Sequence, residues 1–416
     1  MFFKVKSSDE IFEILKTFAP VGEEIVSISD GLNRILSQDI VCGEDMPHFS
    51  RSSVDGYAVV AQDTYGASEA LPAFLELKGE VIMGKESSVG VSSGNTVRIS
   101  TGGMIPSGAD AVVMIEYCHL VDERTIEITR SVAPLENIIC RGDDCRKGSV
   151  LLEEGSMLRP QDIGLLAGQG VSRVFVYQKP KIAVISTGDE IIPIDQEPRP
   201  GQVRDVNSYT LSAFCAKEGG VPFNMGLCKD NFNDLREKIH RALEQCDSVW
   251  VSGGSSVGMR DMTLKVIESF DEAEILAHGI AVKPGKPTIV ARIGHKSVIG
   301  LPGHVASAMV VAEVFLAPFL VWLQGGDRRC NDHHVYIDAK MERNVESASG
   351  SDEYIRVKLI KRDGKFYAEP LWGKSGLIST LVQAEGLVKI DRHVEGLYPG
   401  QDVRVMLFHL PGEENK

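Results

Sequence analysis

Three glycine-containing turns in the sequence directly follow apolar segments and carry polar side chains. They are STGDE at 186–190, SGGSSVG at 252–258 and LPGH at 301–304. Two of these turns place glycines before a predicted helix, where free backbone N–H groups and the positive end of the helix dipole face an anion. A single turn of this kind is more often only a tight connection. Three of them at neighbouring strand ends favour an anion-binding crevice.

Four carboxylates lie close to these turns: Asp189, Glu190, Asp230 and Asp261. Acidic side chains beside a bound anion would repel it unless a divalent cation lies between them. Carboxylate oxygens beside a phosphate are typical of Mg²⁺ sites. The alternative is that Asp230 and Asp261 are only the N-caps of the helices that follow them. The sequence leaves both interpretations open.

A segment with two lysines, KPGKP at 283–287, supplies positive charge. Its prolines and glycine fix the backbone, so Lys283 and Lys286 would present their ammonium groups at little ordering cost. This composition favours anion binding over a solvated loop.

A competing interpretation concerns GSSVG at 254–258, which fits the G-x-S-x-G nucleophile turn of α/β hydrolases. That reaction would need a later acid and a later base, for example Asp271 and His304. It would leave the clustered carboxylates and the lysine segment unexplained.

From about residue 179 the chain alternates strand and helix patterns. Predicted strands lie at 181–186, 221–227, 247–252, 288–292 and 297–301, and predicted helices at about 207–218, 231–244, 261–270 and 304–323. This alternation, with nearly continuous apolar strands, predicts a parallel sheet covered by helices. The apolar segment 305–323 has the length of a membrane span, but Glu313, Pro318 and the preceding strand favour a buried helix.

The remaining sequence predicts further domains. Ser7 and Glu10 fit a capping box before a helix with Ile11, Leu15 and Phe18 on one face. Strand-like runs fill the region to residue 178, and a hairpin signal at 363–364 predicts a small β-barrel or sandwich at the C-terminus. The predicted domains are 1–44 with 141–178, an inserted β-rich domain at 45–140, an α/β domain at 179–326, and a β domain at 330–410.

Composition narrows the class of protein. The chain of 416 residues has 44 lysines and arginines against 58 acidic residues, a formal net charge of −14. This balance argues against non-specific nucleic-acid or anionic-membrane binding. The eight cysteines form no C-x-x-C pair, and the N-terminus MFFKVKSSDEIFEIL has no apolar leader region. We therefore expect reduced, mostly buried thiols in a cytoplasmic protein.

Ten segments together resemble the molybdopterin molybdenumtransferase family, which comprises MoeA-type proteins and the E domain of gephyrin. In chain order they are DMPHF at 45–49, SSVDGYAV at 52–59, VRISTGG at 97–103, GADAVVMIE at 108–116, NIICRGDD at 137–144, ISTGDEI at 185–191, GQVRDVNSYTL at 201–211, VSGGSSVGMRD at 251–261, AVKPGKP at 281–287 and GLPGH at 300–304. No single segment is specific, but the ordered set is.

The resemblance implies a multidomain α/β and β fold: β-rich N-terminal domains, a Rossmann-like α/β molybdopterin-binding domain, and a C-terminal β-barrel. It implies an elongated homodimer with an active site between the α/β domain of one subunit and N-terminal segments of the other. The implied reaction inserts molybdate into adenylylated molybdopterin and releases AMP with Mg²⁺ present. The family also implies a possible partner, the molybdopterin adenylyltransferase.

Site residues follow from the resemblance by position. Asp55 and Thr101, with Asp144 near them, would come from the neighbouring subunit, and Glu190, Asp230 and Asp261 would hold Mg²⁺ and the pyrophosphate. Residues expected to bind molybdate, pterin or nucleotide are Gly254, Ser256, Lys283, Lys286, Pro302 and Ser307, with Arg356 and Ser375 from the last domain.

The sequence departs from the family pattern at three places. His304-Val305 stands where Asn-Pro is usual, Ile138-Ile139-Cys140 replaces a basic stretch, and Ser50-Arg51 replaces Asp-Asn. Two other functions stay open at this stage: an adenylyltransferase-like activity, and a non-catalytic dimeric scaffold of the gephyrin type.

Overall fold

The structure is a computed structural model that describes residues 5–253, 257–326 and 334–409, with the backbone alone for residues 257–261. The predicted capping box is confirmed at helix α1 (Ser8–Leu15): Ser7 Oγ accepts from Glu10 N, and the Glu10 carboxylate accepts from Ser7 N. Ile11 and Leu15 of the predicted apolar face are buried on this helix, whereas Phe18 is buried beyond its end.

Short strands dominate the chain up to residue 177. The elements are β1 (Glu23–Ser27), β2 (Ile40–Val41), β3 (Arg51–Ser52), β4 (Gly56–Val59), β5 (Ala73–Glu80), β6 (Asn95–Ile99), β7 (Ala111–Met114), β8 (Cys118–Leu120), β9 (Thr125–Ile128), β10 (Ile138–Ile139), β11 (Val150–Leu152), α2 (Pro160–Gly168) and β12 (Arg173–Tyr177), with 3-10 turns at Ile28–Asp30, Ala61–Thr64 and Ile115–Tyr117. Six of the strands form one sheet in the order β7-β4-β6-β5-β9-β8. That sheet lies within the predicted insertion at 45–140. Strands β1 and β2, which precede the insertion in the sequence, pair with β12 and β11, which follow it.

The central part of the chain is an α/β unit. Its elements are β13 (Lys181–Thr187), β14 (Ile191–Ile192), β15 (Val203–Arg204), α3 (Asn207–Lys217), β16 (Val221–Cys228), α4 (Phe232–Gln245), β17 (Ser248–Gly253), α5 (Val257–Glu268), β18 (Ala273–His278), β19 (Val282–Lys283), β20 (Ile289–Ile293), β21 (Lys296–Leu301), α6 (Val305–Val311) and α7 (Ala317–Leu323). The sheet order is β16-β13-β17-β21-β20-β18.

The prediction of a parallel sheet is right for four of the five predicted strands and wrong for the fifth, β20. Strands β16, β13, β17 and β21 are parallel, whereas β20 runs antiparallel to both β21 and β18. Only Gly294 and His295 separate β20 from β21, and a connection of two residues can join only antiparallel strands. Strand β18 was not predicted.

The apolar segment Val305–Leu323 is a continuous helix made of α6, a π-helical stretch (Ala312–Leu316) and α7. Of the described helices, it is the one long and apolar enough to cross a membrane, and 83% of its apolar window is buried within the fold. Phe315 and Phe319 pack against Phe12 and Phe18, which anchors the N-terminal helix to the α/β unit. The predicted burial of this helix is confirmed.

The C-terminal unit is a closed β-barrel. Its elements are β22 (Tyr336–Met341), β23 (Val345–Glu346), β24 (Asp352–Arg362), β25 (Lys365–Pro370), α8 (Ser379–Val382), β26 (Gly386–Ile390), β27 (Gly396–Leu397) and β28 (Asp402–Leu407). The order β24-β25-β22-β28-β26 closes because β26 pairs with β24. The predicted hairpin is confirmed, since Arg362 pairs with Lys365 across Asp363 and Gly364.

One short strand joins the two units. Strand β19 of the α/β unit pairs in parallel with the start of β24, which sets Val282 opposite Asp352 and Lys283 opposite Glu353. The barrel therefore contributes residues to the edge of the lysine segment.

The seven cysteines in the described part of the chain are free thiols, and most of them are buried, as predicted. Burial raises the pKa of Cys118 and of Cys215 to about 12 and that of Cys246 to about 11. Thiols that stay protonated at neutral pH are poor nucleophiles and poor metal ligands.

Candidate active site

Two cavities adjoin at the carboxyl ends of the parallel strands. The first has a volume of about 440 Å³ and is lined by the lysine segment 283–287 and the turn 301–304. The second has a volume of about 590 Å³ and is lined by Thr187, Glu190 and residues 202–207. Gly253, Gly303 and His304 line both. Residues of all three predicted turns thus meet at one edge of the sheet.

Glycine is required at two points of this wall. A Cβ on Gly253 would lie 2.1 Å from the carbonyl oxygen of Thr187, so the ends of β17 and β13 can approach only with glycine there. Gly285 has a φ of +129°, and its Cβ would lie 2.7 Å from Val311 Cγ2. The lysine segment is therefore seated directly on helix α6.

The first cavity collects four of the predicted binding residues: Lys283, Lys286, Pro302 and Ser307. Both lysines are exposed, and Ser307 is buried. Lys283 is not free, because its Nζ lies 2.9 Å from Glu353 Oε1. Glu353, which comes from the barrel, was not among the predicted site residues.

The Glu353 carboxylate is firmly held. Its side chain is only 10% exposed, and Ser347 Oγ donates to Oε2 at 2.8 Å. One of the two positive charges of the first cavity is thereby partly neutralised by a nearly buried acid.

Carboxylates gather near the second cavity. Thr187 Oγ1 donates to Asp230 Oδ1 at 2.9 Å, and the backbone N–H of Asp230 donates to Asp189 Oδ1 at 3.2 Å. Burial raises the pKa of Asp230, and the negative charges of Asp189 and Glu190 raise it further, while the bond from Thr187 acts in the opposite direction. These acids are close enough to repel one another.

The N-cap alternative for Asp230 is wrong. Asn231 caps α4, since its side chain accepts from the backbone N–H groups of Asn233 at 2.9 Å and Asp234 at 3.2 Å. The N-cap alternative for Asp261 is also wrong, because α5 begins at Val257 and Asp261 lies inside that helix; the side chain of Asp261 is not described. Gly254 and Ser256 also lie outside the described residues.

The structure describes the side chains of only some of the predicted Mg²⁺ ligands. Among the described residues, no group of three or more histidines, cysteines or acids is arranged to hold a metal ion. Glu190 and Asp230 are the two predicted ligands whose side chains the structure describes, and the third, Asp261, is not covered. The donor set of these residues is all carboxylate, which suits Mg²⁺.

Asp55 and Thr101 are brought together, as a pair separate from both cavities. The backbone N–H and the hydroxyl of Thr101 donate to Asp55 Oδ1 at 2.6 Å and 2.9 Å. These bonds, the backbone one first, lower the pKa of Asp55. Asp144 is exposed, and its backbone N–H donates to the carbonyl of Met46. None of the three lines either cavity.

The barrel reaches the site through the loop that follows β25. Ser375 Oγ lies 2.8 Å from His304 Nδ1, the Ser375 carbonyl accepts from Ala306 N at 3.0 Å, and Gly376 lines the second cavity. Arg356 lines neither cavity; its guanidinium is buried and donates to Gly373 O at 2.7 Å and to a threonine hydroxyl. Arg356 therefore supports the loop that carries Ser375.

These contacts also bear on the hydrolase alternative. The partner of His304 Nδ1 is a serine hydroxyl, whereas a catalytic triad would place a carboxylate there. Ser256, the serine of the G-x-S-x-G motif in that alternative, lies outside the described residues.

Two buried polar residues at the start of α3 were given no role in the sequence analysis. Asp205 Oδ1 accepts from Ser186 Oγ at 3.0 Å and from Ser208 N at 3.1 Å. Asn207 Nδ2 donates to Ser252 Oγ at 2.7 Å and to Gly303 O at 2.8 Å. Both residues line the second cavity. The available signal was the pair of polar side chains in the segment GQVRDVNSYTL, directly before an apolar helix.

Comparisons with known proteins cover nearly the whole chain. Three family models match: the MoeA N-terminal region (domain I and II) at 6–170, the probable molybdopterin binding domain at 183–322, and the MoeA C-terminal region (domain IV) at 338–408. Molybdopterin molybdenumtransferase of Bacillus subtilis is 30% identical over 98% of this chain and 94% of its own length. That of Haemophilus influenzae is 32% identical over 94% of this chain and 96% of its own length.

Solved structures agree with these matches. Two structures of the molybdopterin biosynthesis MoeA protein of Pyrococcus horikoshii each align with a TM-score of 0.81. They are 36% and 30% identical, and cover 98% and 97% of this chain and 100% of their own chains.

Fold, site and relatives together define a transferase of molybdenum cofactor biosynthesis. The chain belongs to the molybdopterin molybdenumtransferase family, the MoeA family. The predicted family and the predicted fold class, a multidomain α/β and β protein with a C-terminal β-barrel, are both confirmed.

Proposed function

We propose that this protein inserts molybdenum from molybdate into adenylylated molybdopterin and releases AMP in a Mg²⁺-dependent reaction. The observation that carries the proposal is the pair of adjoining cavities. One is lined by Lys283 and Lys286, the other by Glu190, and they share a wall at Gly253 and Gly303. The relatives named molybdopterin molybdenumtransferase support molybdopterin as the substrate.

In this proposal the first cavity binds molybdate, a tetrahedral dianion. Lys286 and Lys283 supply ammonium groups, and Ser307 supplies a hydroxyl. Charge-assisted donors of this kind stabilise an oxyanion and the oxo groups that leave when the pterin thiolates bind the metal. Pro302 and Gly303 shape the wall on the side of the second cavity.

The second cavity binds the adenylyl and pyrophosphate groups in this proposal. Glu190 and Asp230, with Asp261, would hold Mg²⁺, and Gly254 and Ser256 would contact the nucleotide or the pterin. The raised pKa of Asp230 fits a cation site, because a bound divalent ion would favour the ionised carboxylates that now repel one another. When bound, Mg²⁺ neutralises pyrophosphate charge and stabilises the departing phosphate.

Release of AMP tests the reaction. The purified protein should release AMP from adenylylated molybdopterin only when molybdate and Mg²⁺ are both added, as measured by liquid chromatography. Glu190→Gln should lower the rate at least tenfold, whereas Asp338→Asn, an exposed acid on the barrel, should leave it unchanged. AMP release that is unaffected by Glu190→Gln would contradict the proposed site.

The same assay separates the two other functions. Formation of pyrophosphate from ATP and molybdopterin would indicate an adenylyltransferase-like activity. Absence of both reactions, in a protein that is folded and dimeric, would favour a scaffold of the gephyrin type.

We further propose a homodimer in which Asp55 and Thr101, with Asp144, complete the site of the neighbouring subunit. The position of Asp55 and Thr101 outside both cavities of their own chain supports a role in trans. Asp55→Ala and Glu190→Ala should each be inactive alone. Mixed and re-equilibrated, they should regain about a quarter of wild-type activity, because half of the dimers are mixed and each has one intact site. A site formed within one subunit would regain none.

We propose a cytoplasmic location. We also propose that the protein binds the molybdopterin adenylyltransferase, which would supply its substrate. Support for the location comes from the free, mostly buried thiols of the described residues. Co-sedimentation of the two purified proteins would test the partnership, and fractionation of cells would test the location.

A further inference from the structure

Asn207 holds the turn that separates the two cavities. It is the first residue of α3 and is only 7% exposed. Its side-chain Nδ2 donates to Ser252 Oγ at the end of β17 and to the carbonyl of Gly303 after β21. Because a carbonyl can only accept, the bond to Gly303 fixes which end of the amide faces the turn.

Ser252 extends this contact to the preceding residue. Its hydroxyl accepts from Asn207 and points to the carbonyl of Pro302 at 3.4 Å. Two successive carbonyls of the 301–304 turn are therefore held by one pair of buried side chains. We call Asn207 and Ser252 the turn clamp.

The turn clamp acts on the residues that the two cavities share. Gly253 follows Ser252 directly, and Gly303 is itself held by Asn207. The amide oxygen of Asn207 is buried with no hydrogen-bond partner among the described residues. A buried amide with an unsatisfied oxygen is costly, and a residue needed only to fill space would not incur this cost.

We infer that Asn207 is a positioning residue that sets the distance between the oxyanion cavity and the nucleotide cavity. The inference rests on the proposed function, because the two cavities must hold reactants that react with each other. A shift of about 1 Å between two bound reactants can lower a rate about a hundredfold, while each cavity still binds its own ligand.

The chain provides a matched control on the same two strands. Ser297 Oγ donates to Ser248 Oγ at 2.7 Å, and these residues are opposite each other at the beginnings of β21 and β17. Both are fully buried. The control bond therefore joins β17 and β21 at the end remote from the cavities, whereas the turn clamp acts where these strands end.

Three variants test the inference: Asn207→Asp, Asn207→Ala and Ser297→Ala. Asn207→Asp is nearly isosteric but turns an oxygen toward the carbonyl of Gly303. We expect kcat for AMP release to fall at least tenfold in both Asn207 variants. The dissociation constant of molybdate, measured alone, should change less than threefold in both variants, and that of AMP less than threefold in Asn207→Ala, which adds no charge to the second cavity. Ser297→Ala should keep kcat within twofold at a comparable loss of melting temperature.

A second measurement does not depend on activity. Amide hydrogen exchange of a peptide covering residues 301–308 should accelerate at least tenfold in Asn207→Asp and stay unchanged in Ser297→Ala. Wild-type kcat in Asn207→Asp, or an equal loss of kcat in Ser297→Ala, would overturn the inference. If the wild-type protein releases no AMP, the proposed reaction fails, and the exchange rates then decide whether the clamp holds the turn.

Discussion

Replacing Glu353 with glutamine should tighten the binding of an oxyanion in the first cavity. Glu353 forms an ion pair with Lys283, with 2.9 Å between Lys283 Nζ and Glu353 Oε1. Glutamine has almost the same shape: its one oxygen can face the ammonium group of Lys283, and its NH₂ group can donate to the hydroxyl of Ser347, which also accepts. The substitution therefore removes one negative charge beside the cavity and little else.

The magnitude follows from the exposure of the two partners. The Lys283 side chain is 60% exposed and that of Glu353 is 10% exposed, so water screens the pair from one side only. Exposed ion pairs contribute about 0–1 kcal/mol, and the buried acid places this pair near the upper value. Releasing Lys283 for the anion should therefore contribute about 1 kcal/mol, which is roughly a fivefold lower dissociation constant.

Isothermal titration with molybdate, and with sulfate as a second dianion, measures this change. The fivefold difference should shrink as salt is raised from about 0.05 M to about 0.5 M, because the partly exposed charges are then screened. Glu369→Gln is the control, since Glu369 also forms an ion pair on the barrel, with Arg343 at 3.2 Å, and lines neither cavity. An unchanged or weaker affinity in folded Glu353→Gln would refute the reasoning.

Three further substitutions have defined outcomes. Asp230→Asn should raise the melting temperature at pH 7 without Mg²⁺. Because the pKa of Asp230 is raised in the folded protein, the wild-type protein loses stability as pH rises and this carboxyl ionises. In melting curves measured over a pH series, the higher melting temperature of the variant should therefore vanish below about pH 4, where the carboxyl is protonated. Thr101→Val removes one of two donors and should move the pKa of Asp55 up toward its ordinary value, as followed by carboxyl NMR; no movement would contradict the assigned bond. Gly285→Ala should destabilise the fold by about 1–3 kcal/mol in urea because of the contact with Val311, whereas Gly164→Ala, with open space around it, should not.

The strand ends that build the site could be predicted from local sequence. Apolar runs followed by glycine turns located Thr187, Gly253 and Gly303 at one edge of the sheet, because parallel strands place their carboxyl ends together. The lysine segment could be predicted from its two lysines and from the prolines and glycine that fix its backbone. Each of these signals is contained in a few neighbouring residues.

Contacts between segments that are distant in the chain could not be predicted from the sequence. Glu353 reaches Lys283 only because β19 joins the barrel sheet, and a strand of two residues has no recognisable pattern. The reversal at Gly294-His295 was visible as a short connection, yet the alternating pattern of strands and helices favoured a parallel strand there. Asn207 was noticed as part of a motif, but its partners on β17 and after β21 follow from the folded arrangement alone.

The most direct test of the account is a crystal soaked with molybdate and AMP together. We predict a molybdenum anomalous peak in the first cavity, within hydrogen-bond distance of Lys286 and Ser307, and the AMP phosphate in the second cavity beside Glu190, with Gly303 between them. Molybdate and AMP bound at sites that share no wall, or molybdate bound away from both lysines, would contradict the claim that the two adjoining cavities form one active site.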